Sequence, residues 1–196
     1  MKVSVITPTW QRHDLLLDRC IPSVQAQTWP DVEHVVVSDG PDPTLRDRLT
    51  GVDVVYVELA EHPDDDCNYG AYSRNHGLIV AAGDLVAYLD DDNSFRPQHV
   101  QRLAEALIAH PDRDFAYSRM YRHGLDDEIG GEPPEHGRVD SSILMHRAGA
   151  HEKFGCWPTP SPYAVDWEFV KTWVLAGATW VFVNEVTVDY YHREHD

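Results

Sequence analysis

Short runs rich in Val, Ile and Tyr recur at Val3 to Ile6, Val32 to Val37, Val52 to Leu59 and Leu85 to Leu89, with helical patterns between several of them. That alternation predicts an α/β fold with a mostly parallel central sheet flanked by helices. The first helix, His13 to Gln27, places Leu17, Cys20, Ile21 and Val24 on one stripe suited to covering a sheet, and Pro22 should kink or split it. A regular helix opens at Pro97 and carries Val100, Leu103, Ala104 and Leu107 on one face before His110-Pro111. The second half reads as a strand at Phe115 to Tyr121, then an unpatterned Gly/Pro/acid segment, Gly124 to Gly137, expected to be a mobile loop. Ser142 to Met145 is strand-like, Gly155 to Pro162 is proline-rich, Val165 to Ala176 is helical, and Thr179 to Val183 and Thr187 to Tyr191 return to strand. With no internal repeat and no linker, a single domain is expected over residues 1–196.

At 196 residues the chain can bury roughly 70% of its unfolded surface, enough for a hydrophobic core without staples. Sixteen Lys plus Arg against 33 Asp plus Glu give a net charge of −17, which argues against nucleic acid as a partner, because that affinity comes from cations neutralising phosphates. No run approaches the roughly 18 to 20 apolar residues of a membrane span, and the first residues lead straight into a strand pattern rather than a signal peptide. A soluble, cytoplasmic protein is expected. Cys20, Cys67 and Cys156 are odd in number and outside any CxxC pattern, so they read as reduced structural cysteines.

The strongest chemical signal is Tyr88-Leu89-Asp90-Asp91-Asp92-Asn93, three carboxylates directly after an apolar strand. Like charges this close destabilise a fold unless a cation or hydrogen-bond donors compensate them, which points to a divalent metal, Mg2+ or Mn2+. The alternative is a solvated acidic turn. Asp64-Asp65-Asp66, with no strand leading in, reads as a solvated loop. Ser38-Asp39-Gly40 ends another strand, where a carboxylate can accept hydrogen bonds from a base or ribose, and Thr7-Pro8-Thr9 ends the first strand in the same layer. Neither GxxxxGK[ST] nor GxGxxG occurs.

Taken in order, Val3 to Arg12, Ser23-Val24-Gln25-Ala26-Gln27-Thr28-Trp29, Val35 to Gly40, Ser73-Arg74-Asn75-His76-Gly77-Leu78, Ala82-Gly83-Asp84 and Leu89 to Asp92 resemble the successive blocks of family 2 glycosyltransferases of the GT-A fold. Gly155-Cys156-Trp157 and Asp166-Trp167-Glu168 resemble its acceptor-side blocks. The resemblance implies a nucleotide-binding half over 1–100, an acceptor-side half over 101–196, and inverting transfer of a sugar from a nucleoside-diphosphate donor. The donor would be a UDP-sugar first and a GDP- or dTDP-sugar next, and the acceptor a glycan, lipid or small molecule. Thr7, Pro8, Thr9 and Arg12 would line the donor site and Asp39 and Arg74 would contact the base. Asp90 to Asp92 would serve as the DXD motif, with Asp92 the main metal ligand, Asp90 or Asp91 reaching the ribose, and Asp90 and His192 further metal ligands. Asp166 would be the general base. Val165 stands where the family carries Glu, which leaves Glu168 as a substitute base and a plain helix-dipole role as the alternative. His146 and the Trp157 to Tyr163 segment would line an acceptor site or be buried structural aromatics. Rival classes are a sugar-phosphate nucleotidyltransferase, disfavoured by the missing Gly-rich phosphate loop, and a non-catalytic nucleotide- or glycan-binding domain, disfavoured by the intact acid triplet.

Overall fold

The computed structural model describes residues 1–62, 70–160 and 164–191. Its elements in chain order are β1 (Val3–Thr9), α1 (His13–Leu15), a π-helical turn (Leu16–Cys20), α2 (Ile21–Gln25), β2 (Val32–Ser38), α3 (Pro43–Arg48) and β3 (Val55–Glu58). There follow α4 (Ala71–Val80), β4 (Leu85–Tyr88), β5 (Ser94–Phe95), α5 (His99–Ala109), β6 (Phe115–His123) and β7 (Asp127–Ile129). A 3-10 turn (Ser141–Ile143), β8 (Leu144–Arg147), α6 (Ala150–Phe154), α7 (Val165–Leu175) and β9 (Trp180–Tyr191) complete the described chain. One sheet runs β3-β2-β1-β4-β8-β6-β9-β5, with β7 pairing β6. β1 to β4, β6 and β9 point one way, and β5, β7 and β8 run against them.

Every residue of β1 is buried, because helices cover both faces of the sheet, and this is why strands in this position read as continuous apolar runs. β1 pairs with β2 on one side and β4 on the other, so the chain switches direction across the sheet between them. A crevice opens at the carboxyl ends of parallel strands at such a switch, here the ends of β1, β2 and β4. Helix α4 lies close to β1 at Gly77, where a Cβ would sit 2.4 Å from Ile6 Cγ2.

Pro22 behaves as expected: the helix breaks into α1, a π turn and α2, with Pro22 in the first turn of α2. The widened turn accommodates the missing amide. Other expectations need correction. The Gly124 to Gly137 segment is not all loop, because Asp127–Ile129 pairs with Met120 to Arg122 as β7. The two C-terminal strands are one, β9, whose register against β6 shifts near Tyr117 to Met120. The short helices α3 and α6 and the two-residue β5 carry no periodic signal. Asp64 to Asp66, Cys67, Tyr163 and His192 lie outside the described residues. Cys20 is a buried free thiol whereas Cys156 is exposed, so only the former is structural.

Candidate functional site

A cleft of about 760 Å³ opens at that crevice. Pro8, Thr9, Trp10 and Arg12 reach it from the end of β1, Asp39 from the end of β2, Gly70 and Arg74 from α4, and Asp90, Asp91 and Asp92 from the end of β4. The far wall comes from His136, Gly137 and Val139 of the loop after β7, from Ala164 to Trp167 at the start of α7, and from Tyr190 of β9. Each carboxylate is there because a buried strand ends there and releases the chain into the crevice.

The acid triplet is compensated chiefly by arginine. Arg74, only 4% exposed, donates from Nη2 to Asp90 Oδ1 at 2.5 Å and to Ser141 Oγ at 3.2 Å, and its guanidinium lies 4.9 Å from the Trp157 ring. Arg12 Nη1 donates to Asp91 Oδ1 at 3.2 Å and to Asp92 Oδ2 at 2.8 Å. Asp91 is also held by the Thr9 hydroxyl at 2.7 Å, and burial pushes its carboxyl up to about 6 against the pull of Thr9 and Arg12. Asp91 is thus the most buried of the three, and Asp90 and Asp92, two positions apart, are the carboxylates more open to the cleft. Among the described residues no group of three His, Cys, Asp or Glu is gathered to hold a metal. Two hard oxygen donors beside a cleft do fit Mg2+ or Mn2+, which protein binds through one or two carboxylates while substrate phosphates fill other positions.

Asp39 is 7% exposed and accepts from the Ser73 hydroxyl at 2.7 Å. His62 Nδ1 donates to the Asp39 carbonyl at 2.7 Å, and its ring stacks on Trp10, with centroids 4.3 Å apart and planes 5° apart. Gly40 is needed here, because φ is +146° and a Cβ would stand 2.9 Å from the Trp10 ring.

On the opposite wall, Asp166 opens α7. Burial pushes its carboxyl up to about 6, opposed by Arg74 and by the Ser141 hydroxyl and amide, and one oxygen, Oδ1, is buried with no hydrogen-bond partner among the described residues. Asp140, which caps the 3-10 turn by accepting from Ser142 N at 2.8 Å, is likewise raised by burial and by the charges of Asp166 and Asp90. Ser141 thus bonds Arg74 and Asp90 and lies beside Asp166.

Of the residues expected to bind donor, Pro8, Thr9, Arg12, Asp39, Arg74, Asp90 and Asp91 line the cleft, and so do Asp92 and Asp166. Thr7 does not. It is fully buried, 2.9 Å from His34 Nε2 and 3.6 Å from Cys20 Sγ, because it shares a face with Thr9 but lies two residues deeper in β1, beneath the helical layer that carries Cys20. His146 is also core: its Nδ1 donates to the Arg147 carbonyl and Tyr88 donates to its Nε2, both at 2.8 Å, while burial lowers its pKa to about 4. Trp157, 2% exposed, stacks on Phe169 at 4.0 Å. Glu168 pairs with Lys171 at 2.6 Å and is absent from the cleft lining. Sequence reasoning missed the Trp10–His62 stack, Ser141, Asp140, His136 and Tyr190. Only Trp10, directly after Thr7-Pro8-Thr9, carried a local signal.

Comparison with known proteins agrees with this architecture. S. aureus TarS 1-349 in complex with UDP-GlcNAc superposes over 100% of this chain and 60% of its own, with a TM-score of 0.77 and 19% identity. Mannosyltransferase PcManGT from Pyrobaculum calidifontis in complex with GDP-Man and Mn2+ superposes over 98% and 57%, with a TM-score of 0.73 and 18% identity. At these identities the likeness is one of fold. The glucosyl-dolichyl phosphate glucuronosyltransferase of Haloferax volcanii is 32% identical over 117 residues, 57% of this chain and 36% of that protein. The chain thus spans less than two thirds of the length of each. No helix among the described residues is long and apolar enough to cross a membrane. Residues 4–166 match the model of glycosyl transferase family 2, and the chain, a GT-A domain by its sheet and its structural neighbours, belongs to that family.

Proposed function

We propose that this domain transfers a glycosyl group from a nucleoside-diphosphate sugar to an acceptor hydroxyl with inversion, Asp166 taking the acceptor's proton. The observation that carries this reading is the Asp166 carboxylate. It lines the same cleft as Asp39, Asp90 and Asp92, and one of its oxygens is buried without a hydrogen-bond partner among the described residues. A carboxyl raised toward 6 is a better base than an exposed aspartate, and Ser141 and Arg74 beside it favour its charged form. The nucleobase would stack at Trp10 and His62, with Asp39 accepting its N–H, and Arg74 would stand beside the phosphates through its pairing with Asp90. Asp90 and Asp92 would hold Mg2+ or Mn2+, and the cation would contribute positive charge against the diphosphate leaving group. Arg12, whose side chain is 42% exposed, holds the Asp92 carboxylate until it is displaced. A UDP-sugar is the first donor to try and a GDP-sugar the second, because the two structural neighbours were solved with UDP-GlcNAc and GDP-Man.

The test is a panel of UDP-, GDP- and dTDP-sugars with Mn2+, read by thermal stabilisation and then by nucleotide release with candidate acceptors. One donor should raise the melting temperature only with metal and then be consumed. Stabilisation without release by any acceptor would make this a binding domain, and no response to any nucleotide would overturn the reading.

A further inference from the structure

We infer that Arg19 is a positioning residue for the donor site, holding the main chain of the acidic turn against the end of β9; the role rests on the proposed donor site. Arg19 lies in the π turn between α1 and α2 and contributes nothing to the cleft lining. Its Nη1 donates to the Asp92 main-chain carbonyl at 2.7 Å, and its guanidinium carbon sits 3.7 Å from the centroid of the Tyr191 ring. Tyr191 in turn donates its amide to Asn93 Oδ1 at 3.1 Å, and β5, just beyond, pairs with β9 through Ser94–Asp189 and Phe95–Val188. Three separate segments, the first helix, the acidic turn and the last strand, therefore meet on one planar cation. Arginine suits the position because its fork donates in the plane while its face stacks on an aromatic ring.

The same helical layer extends this grip. Ser23 Oγ accepts from Phe95 N at 3.1 Å, and Gln27 donates to the Arg96 carbonyl and accepts from Val100 N, both at 2.9 Å. Arg19, Ser23 and Gln27 are four residues apart, one face of the helical layer, and together they fix the chain from Asp92 to Val100. The contrast with Arg12 explains the division of labour. Arg12 grips carboxylate oxygens, which a cation can take from it, whereas Arg19 grips a carbonyl, which stays bound whatever the carboxylate does. The backbone that aims Asp92 is thus held independently of the charge state of the site. Outer partners of this kind orient a ligand that they do not replace.

The test uses Arg19→Met, which keeps the aliphatic stem and removes donor and charge, and Arg19→Lys, which restores a donor without the planar stack. Retention of Mn2+ by protein with UDP, and in parallel with GDP, is read from the loss of the free-ion electron paramagnetic resonance signal, with the melting temperature without metal measured alongside. Arg19→Met should weaken nucleotide-dependent Mn2+ retention by about tenfold or more, and Arg19→Lys should recover part of it. Wild-type retention in Arg19→Met, whether or not its melting temperature falls, would overturn the role and leave the donor-site reading intact. If Arg19→Met does not fold, retention by Arg19→Lys equal to wild type would overturn it and a severalfold loss would support it. Failure of the unaltered chain to retain Mn2+ with either nucleotide would overturn both readings together.

Discussion

Replacing Asp166 with Asn separates catalysis from stability in opposite directions. Burial pushes this carboxyl up to about 6 from its ordinary 3.8, and each tenfold change in proton affinity corresponds to about 1.36 kcal/mol. Because the folded state binds this proton more tightly than the unfolded chain, its contribution to stability is complete below about pH 4 and is lost as pH rises through 6. At pH 7.5 the ionised carboxylate therefore costs the fold up to about 3 kcal/mol. Asparagine removes that cost, which already includes the opposing pull of Ser141 and Arg74, so the gain at pH 7.5 is up to about 3 kcal/mol. For a chain of this size that is a rise in melting temperature of up to roughly 12 °C. The gain should shrink to nothing by about pH 4. Turnover should fall by about 10² to 10⁴ with donor affinity unchanged, and the wild-type rate should rise with pH to a plateau above about 6. Scanning calorimetry across pH 4 to 8 and a pH profile of kcat/KM provide the two readouts. A destabilised Asp166→Asn at pH 7.5, or one with wild-type turnover, would refute the reasoning.

Three further outcomes are expected. Asp39→Ala should weaken nucleotide binding by about 1 to 3 kcal/mol, since it removes a charged acceptor already oriented by Ser73, and titration calorimetry with UDP and Mn2+ checks it. Arg12→Gln should lower stability without metal by about 1 to 2 kcal/mol through lost pairing to Asp91 and Asp92, read as a lower melting temperature, and Mn2+ with UDP should restore the part due to Asp92; an equal deficit with and without ligand would contradict the exchange of Arg12 for a cation. Gly77→Ala should destabilise despite its gain of about 1 kcal/mol in helix propensity, because a Cβ 2.4 Å from Ile6 forces α4 off β1 at a cost of about 1 to 3 kcal/mol, read by urea denaturation.

Much of the candidate cleft is legible in the sequence because its signals are local. β1, β2 and β4 are buried on both faces and read as apolar runs, and the residues at their carboxyl ends, Thr9 to Arg12, Asp39 and Asp90 to Asp92, are forced into the crevice. Thr7 departs from its block because only the last residues of β1 reach the crevice, and two positions further back the same face of the strand is covered by the helical layer. β7 was illegible because Asp127-Glu128-Ile129 has no apolar alternation and is held by ladder bonds and by the Arg122–Asp127 pair. His146 could not be placed from sequence, because its burial depends on Tyr88, which lies 58 positions away. Ser141 is invisible for the same reason: a serine between Asp140 and Ser142 gains its role only when α4, the end of β4 and α7 converge on it.

The bridging position of β9 bears on how such a chain is made. β9 fills the space between β6 and β5, two strands whose partners in it lie far away in sequence; the Tyr191 to Asn93 hydrogen bond alone spans 98 positions. A nascent chain ending short of residue 180 would expose the whole edge of β6, leave β5 without a partner, and lack both Tyr190 in the cleft and the ring under Arg19. The cleft is therefore complete only once β9 has been made and has paired with β6 and β5. Until then the open β6 edge makes the unfinished chain a template for unwanted strand pairing and a natural client for chaperones.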